Sequence, residues 1–473
     1  MILRVILINE MFKNQSHLKR NLLGLGTSVI LLFPGFAQAQ WAQEWWNGKG
    51  ASGEWLGLRP TLEDRGLKLS GEWKGTFYGF AGGGRPGVRS GFFDEELKFG
   101  AEVDFAKLTG IEILEGWKAF SEVRWRDGLN PNLRAGAFGT FQPSDYQSGK
   151  QWRLLNFGTT YTTPELFGIK KFASITGGWL QPQRYFIDQP LSKLYINNAV
   201  KSSKGLGGNI PFSSSFSSWG GVVTLKPVEW HYARAGFFMA YPQATSTANH
   251  GLAFEGFGPD SSQSGLYFLG ETGFTPAIGA SKLPGKYAFG AYSYGQWNTA
   301  FGGGSRSANR YGFYWQADQM VFREPTPEPP QADGKTTVEA DGKKSVIPSE
   351  PEKLSDQGLS LFSLVTFAPK VNNILPFYFH TGVVYRGLIP TRDNDVTMFS
   401  FAYGSYSYQN IEAIQNSGVT NQPNSSAVIE FGHRVQINKW SYVQPYLQYI
   451  MQPNGTSSIA NSTVLGFQAG VTF

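Results

Sequence analysis

The 473-residue chain contains no cysteine. Disulfides, thiol catalysis and a lipid-modified N-terminal cysteine are excluded together, while the redox compartment stays open. Charge is sparse at 16% of residues, and the five histidines, His17, His231, His250, His380 and His433, are scattered. No HExxH, GxSxG or Walker pattern occurs. Gly334-Lys335-Thr336 lacks the glycine five positions earlier that a phosphate loop needs, and Gly205 to Gly208 has no strand and helix around it to form a nucleotide turn. Asp393 and Asp395 fit a polar turn better than a metal site. The sequence therefore names no catalytic residue, no metal ligand and no cofactor. Past the N-terminal region no run of about 18 apolar residues remains, which excludes a helical membrane protein. A mean hydropathy of −0.26 looks soluble, yet a transmembrane barrel averages out polar because its apolar residues occupy every second position.

Glycine and aromatic residues are what the chain has in quantity: 58 glycines, and 15% Phe, Trp and Tyr. This suits strands better than a helical enzyme. At the N-terminus Lys13, Lys19 and Arg20 precede the apolar run Leu22 to Phe36, and Ala37-Gln38-Ala39 supplies the small residues of a cleavage site, so residues 1–39 read as a secretory signal cut after Ala39. Its removal takes away four basic residues and one acidic, leaving 37 against 34, a net charge of +3. Nucleic-acid binding is poorly supported by so small an excess.

The last twelve residues, Ser462 to Phe473, alternate to the terminal aromatic. Thr463, Leu465, Phe467, Ala469, Val471 and Phe473 share one face, opposite Val464, Gly466, Gln468, Gly470 and Thr472. The same period recurs near 67–78, 95–105, 117–126, 152–162, 172–180, 218–226, 232–241, 266–274, 286–297, 311–322, 359–367, 377–386, 396–408, 427–437 and 441–452. The count of about sixteen, with links that alternate short and long, predicts an all-β fold: a transmembrane antiparallel up-and-down β-barrel of the outer-membrane type over residues 67–473. Residues 40–66 form a periplasmic lead-in with a short helix, Leu58 to Arg65, ended by Gly66. The Pro- and Glu-rich insert 323–356 reads as a solvated linker, placed by parity on the periplasmic side.

A cation on the lipid face near mid-membrane costs roughly 2–4 kcal/mol, so the charged face of each strand points into the lumen. That turns Glu96, Lys98, Glu102 and Asp104 inward from Leu97, Phe99, Ala101 and Val103. It also turns Lys118, Glu122, Arg124 and Arg126 inward from Trp117, Ala119, Val123 and Trp125, and Glu430, Arg434 and Gln436 inward from Ile429, Phe431 and Val435. The outward aromatics Trp117, Trp125, Tyr241, Tyr311, Trp440, Tyr449 and Phe473 fit interfacial girdles. The glycines Gly466 and Gly470 are expected to widen the lumen beside the last strand.

With those residues placed, the mature chain resembles the carbohydrate-selective porins of the OprB family. The resemblance is carried by Gly57-Leu-Arg-Pro-Thr-Leu-Glu-Asp-Arg-Gly-Leu67, Trp125-Arg-Asp-Gly128, Ala317-Asp-Gln319 leading to Phe322-Arg-Glu-Pro325, Val384-Tyr-Arg-Gly-Leu-Ile-Pro390 with Arg392-Asp-Asn-Asp395, and Gln444-Pro-Tyr-Leu-Gln-Tyr449 followed by Pro453-Asn-Gly455. Singly weak, these motifs are specific in this order. The resemblance implies passive uptake of sugars across the bacterial outer membrane. The insert after Pro325 is longer than the family's usual link.

A sugar offers an apolar ring face and a rim of hydroxyls, so a selective lumen needs aromatic surface and fixed charged or amide groups. Candidate hydroxyl-binding residues are Glu96, Glu102, Glu122, Arg124, Arg126, Gln316, Asp318, Glu430 and Arg434. The competing reading is that such charges merely solvate the lumen or bridge strands. The long loop 181–217 is the candidate constriction, with Tyr185, Phe186, Tyr195, Asn197, Asn198 and Phe212 as its candidate contacts, and with Lys201 and Lys204 expected in solvent. Expected partners are sugars as solutes, outer-membrane lipid and, through the terminal strand, the outer-membrane assembly machinery. A general porin, an outer-membrane barrel enzyme and a plugged structural barrel are the alternatives.

Overall fold

In the computed structural model the described residues are 35–84, 91–129, 141–146, 151–202, 204–212, 216–240, 250, 265–295, 298–299, 306–307, 310–325, 355–407, 424–455 and 459–473. Most of the segment read as a signal, most of the insert 323–356 and the girdle candidate Tyr241 lie outside them.

Sixteen long strands close into one antiparallel ring. They are β1 Leu67–Gly84, β2 Gly91–Asp104, β3 Trp117–Gly128, β4 Gln151–Thr162, β5 Ala173–Leu180, β6 Ser218–Val228, β7 His231–Ala240, β8 Gly265–Phe274, β9 Leu283–Tyr294, β10 Arg310–Arg323, β11 Gly358–Phe367, β12 Phe377–Arg386, β13 Val396–Ser405, β14 Ser425–Asn438, β15 Ser441–Met451 and β16 Ala460–Thr472. Each pairs with its neighbours in sequence, and β1 pairs with both β2 and β16, so the ring has no open edge. The two-residue strand Ala277–Ile278 only extends the turn before β9.

Alternation decides which residues face where. Along β2, Phe92, Asp94 and Glu96 are buried toward the lumen while Phe99 is 48% exposed on the outer face. On that outer face Phe77 of β1 lies against Phe93 of β2 and Phe467 of β16, with ring centroids 4.4 and 5.1 Å apart, stitching the closing seam. Trp117, Tyr311 and Tyr449 are exposed outward as well. Glu95 also points outward, and accepts a hydrogen bond from Trp73 Nε1 at 2.8 Å.

At the end of the barrel that carries both termini, the lead-in packs against the rim beside β1, β16 and the β14–β15 turn. It comprises helix α1 (Gly35–Asn47), a turn, and helix α2 (Leu58–Asp64), after which Gly66 adopts φ +87° and delivers the chain to β1. The Ala51 N–H donates to Thr472 O and the Phe473 N–H to Gly71 O, both at 2.8 Å. Trp45 packs 4.8 Å from Trp440 in the β14–β15 turn and donates from Nε1 to Ala51 O. The segment after α1 thus lies directly on the last residues of the chain. The link between β10 and β11, which contains the long insert, opens from the same end, since Arg323 and Gly358 are register partners.

Candidate functional site

The loop between β5 and β6 turns into the lumen instead of outward. Its apolar residues Phe186, Ile187, Tyr195, Ile196, Ala199, Val200, Leu206, Ile210 and Phe212 are fully buried. A chain segment inside a polar barrel must satisfy its own backbone, and this loop does so on inward side chains of the wall. The Glu430 carboxylate of β14 accepts the N–H groups of Ile196 and Asn197, each at 2.7 Å. Asn197 caps the short helical turn Asn198–Lys201 by accepting from the Ala199 N–H at 2.9 Å, and its Nδ2 donates to Gln448. The Tyr195 hydroxyl reaches Val383 O at 3.0 Å and Phe399 O at 2.9 Å. Gln189 donates to Ser363 O at 2.8 Å and Tyr378 to Ala199 O at 2.6 Å. Asn209 exchanges two 2.8 Å bonds with the backbone of Leu375, and Glu271 of β8 accepts from the Ile187 N–H. The loop is therefore fixed along the wall from β8 to β15.

The inward face of β1 to β4 carries charge in two cross-strand rows. Register pairs Lys74 with Glu96 and Glu96 with Arg126 in one row, and Glu72 with Lys98, Lys98 with Arg124 and Arg124 with Arg153 in the other. Glu96 is the hub: Arg126 Nε donates to it at 2.6 Å, Lys98 Nζ lies at 2.8 Å and Arg124 Nη1 at 3.7 Å. Glu96, Arg124 and Arg126 are almost wholly buried, so each depends on its partners to offset the loss of water. Glu72, Lys74 and Lys98 keep side-chain exposures of 36%, 22% and 31%, and these are the charged ends that meet the open lumen.

A second inward segment, residues 141–146 between β3 and β4, joins this wall to the loop. Arg126 donates from Nη1 to Asp145 O at 2.9 Å, and Ser202 of the loop donates to Asp145 Oδ1 at 2.7 Å. The Asn198 N–H donates to Gln142 O at 3.0 Å. Lys201 sits 4.1 Å over the Tyr146 ring and donates to its hydroxyl at 2.7 Å. Expected in solvent, Lys201 is instead packed between two loops; burial pulls its ammonium down to about 8, with Asp145 opposing and Lys74 adding to the shift. The Lys204 side chain lies outside the described residues.

The remaining candidates are dispersed. Glu102 pairs with Lys118 at 2.8 Å toward the terminus-bearing end. Glu122 pairs with Arg184 at the start of the loop. Gln316 is buried on the wall and donates to Glu271 at 3.3 Å, while Asp318 lies under the loop, 3.5 Å from Gln189 Nε2. Arg434 stacks 4.1 Å over Tyr442, donates to Gln444 Oε1 at 2.8 Å and is half-buried. Phe186, Tyr195 and Phe212 have no face left toward the lumen, because the wall covers them. Tyr185 is partly buried beside them and Asn198 faces segment 141–146. Glu72, Lys74, Asp145, Tyr146 and Arg153 belong to the charged cluster and were not singled out by sequence, and Lys201, expected in solvent, joins them. Arg153 had a signal, inward parity beside Gln151 and opposite Trp152; Asp145 and Tyr146 sit in a loop with no period. Among the described residues no group of three or more His, Asp or Glu is placed to hold a metal ion.

A closed ring of sixteen antiparallel strands, with an inward loop and a charged opposite wall, defines a β-barrel porin of the outer membrane. The description "Carbohydrate-selective porin, OprB family" matches residues 93–473, and the chain belongs to that family. It is 23% identical over 460 residues to Porin B of Pseudomonas aeruginosa, covering 90% of this chain and 92% of that one. Among solved structures, a high-pH structure of Pseudomonas putida OprB superposes with a TM-score of 0.74 at 21% identity, over 90% of this chain and 99% of that one. A low-pH structure of the same protein gives 0.54 at 18% identity with the same coverage. The chain is accordingly a carbohydrate-selective channel and not an enzyme.

Proposed function

We propose that sugars cross this barrel by facilitated diffusion through the gap between the inward loop and the β1–β4 wall, where a weakly binding constriction selects them. The observation that carries this reading is the pair of charged rows on that wall, in which Glu72 and Glu96 stand among cations, buried at Glu96, Arg124 and Arg126 and open to the lumen at Glu72, Lys74 and Lys98. Carboxylates and ammonium groups held side by side accept from and donate to neighbouring hydroxyls, so a polyhydroxylated neutral solute replaces its water shell there. Arg434 stacked on Tyr442 adds a planar cation at the edge of the same gap. Glu96, Arg124 and Arg126 then position the exposed members. Glu102, Glu122, Gln316 and Glu430 hold strands and loop. Binding has to be weak, since a channel site must release what it attracts.

The supporting parts follow the same reading. Export removes the segment up to Ala39, the outward aromatics meet lipid headgroups, the terminal strand ending in Phe473 is recognised by the assembly machinery, and the lead-in and the 323–356 insert face the periplasm. Swelling of proteoliposomes in mono- and disaccharides against amino acids of similar size tests the central claim. Faster swelling in the sugars is expected, and equal rates would leave a general porin.

A further inference from the structure

On the periplasmic side of the inward loop, away from the charged rows, the lumen wall contains a recess of about 490 Å³. Its floor is apolar, made by Leu194 of the loop and Val384 of β12; its rim is polar, made by Lys286, Asp318, Ser360 and Arg386. The volume falls within the roughly 300–1,000 Å³ of small-ligand pockets, and the combination of apolar floor and a few convergent polar groups is their usual chemistry. Both signs of charge stand on the rim. Lys286 is held by Asp188, donating to its carbonyl oxygen at 2.5 Å with its carboxylate at 3.4 Å, and Arg386 lies 3.8 Å from Asp356. Asp188, although partly buried, is held below the usual carboxylate range by Lys193 and Lys286, so the loop edge stays ionised and paired. With Lys286, Arg323 and Arg386 set against Asp318, Asp356 and the neighbouring Asp188, the lining carries both signs in equal number, which suits an uncharged polyol better than an anion or a cation. Leu194 ties the recess to the transport path: its side chain lines the recess while its carbonyl oxygen accepts from Gln444 at 2.9 Å and from Arg434 at 3.4 Å.

We propose that this recess is a second sugar-binding subsite, reached from the periplasmic mouth and separated from the charged rows by the inward loop. It extends the channel reading above and rests on it. Two weak sites in series let a solute leave the first before it is free, which shortens the dwell at each. The ring's C–H face lies on Leu194 and Val384, and its hydroxyls meet Asp318, Ser360 and Arg386.

Single-channel current noise in oriented planar bilayers, with glucose or maltose added to one side at a time, tests the subsite. Wild-type channels should give two dwell components, one associating faster from the periplasmic side. Ser360→Phe and, independently, Val384→Phe fill the recess without touching the charged rows, and heat-dependent gel migration confirms that each still forms a barrel. Either variant should lower the periplasmic-side association rate at least fivefold and leave the other component in place. A single component that persists in both filled variants would overturn the subsite while sustaining the sugar channel; absence of any sugar block in the wild type would overturn the channel reading and the subsite with it.

Discussion

Tyr314 of β10 lies across Gly290, its register partner on β9, and Tyr292 of β9 lies across Gly312 in return. Tyr442 and Tyr446 cover Gly470 and Gly466 of β16 in the same manner. Those last two glycines were expected to widen the lumen; they are floors for tyrosine rings instead, and the space gained is refilled at once. A Cβ at Gly312 would meet the Tyr292 ring. Gly312→Ala should therefore cost about 1–3 kcal/mol, the usual range for overpacking, read as a lower urea midpoint of the detergent-solubilised barrel. An unchanged midpoint would mean that the ring moves aside freely.

Lys201 supplies the residue-scale prediction in pH. Its folded value near 8 lies below the ordinary 10.5 of lysine because burial disfavours the ammonium. The folded state is thus penalised while Lys201 is charged, fully so below about pH 8, and the penalty is relieved as pH rises toward 10.5. In the channel the same titration removes a positive charge from a cluster already rich in Arg and Lys. Preference for anions over cations, measured as reversal potential in a KCl gradient, should fall between pH 7 and pH 9 and should stay flat in Lys201→Met. A wild-type potential independent of pH over that window would refute the assignment.

At the scale of elements, the loop between β5 and β6 is built inside out relative to its expected use. Its aromatics secure it to the wall, and the charged strands opposite are left to face the solute. The length and low charge of residues 181–217 were legible as a sign of an inward segment. Their mode of seating was not, because it depends on which inward side chains stand on β8 to β15, a long-range pairing that no local period records. Glu430 is the instructive case: parity turned it inward, yet its two backbone bonds to Ile196 and Asn197 make it an anchor. Hydrogen bonds to a charged group contribute about 1.5–3 kcal/mol each. Glu430→Ala should consequently release this stretch, raise single-channel conductance and weaken sugar block, whereas unchanged conductance would show that the remaining anchors suffice. The strands themselves were readable because lipid outside and water inside impose one alternation on every one of them. Their ends were found within a few residues, the largest extension being β1, which continues to Gly84.

The whole molecule is set by an even number of strands and by a seam that joins the two ends of the sequence. With sixteen strands in the ring, the link after Arg323 opens at the end that carries both termini. Removing that insert and joining Pro325 to Ser355 by a short turn should leave heat-dependent migration and conductance as they are; loss of barrel formation would reveal a structural duty for it. The lead-in has a different standing. The Ala51–Thr472 bond and the Trp45–Trp440 contact tie it to the closed seam, so deleting residues 41–57 should lower the temperature at which the barrel unfolds on a denaturing gel.

That tie between Ala51 and Thr472 joins residues at opposite ends of the barrel's sequence. Residues made first must wait for residues made last, and the binding surface for the lead-in exists only once β1 and β16 have met. Its docking thus reports completed closure: an unfinished or mis-registered ring leaves the Ala51 N–H without Thr472 O and the Trp45 ring without its seat beside Trp440.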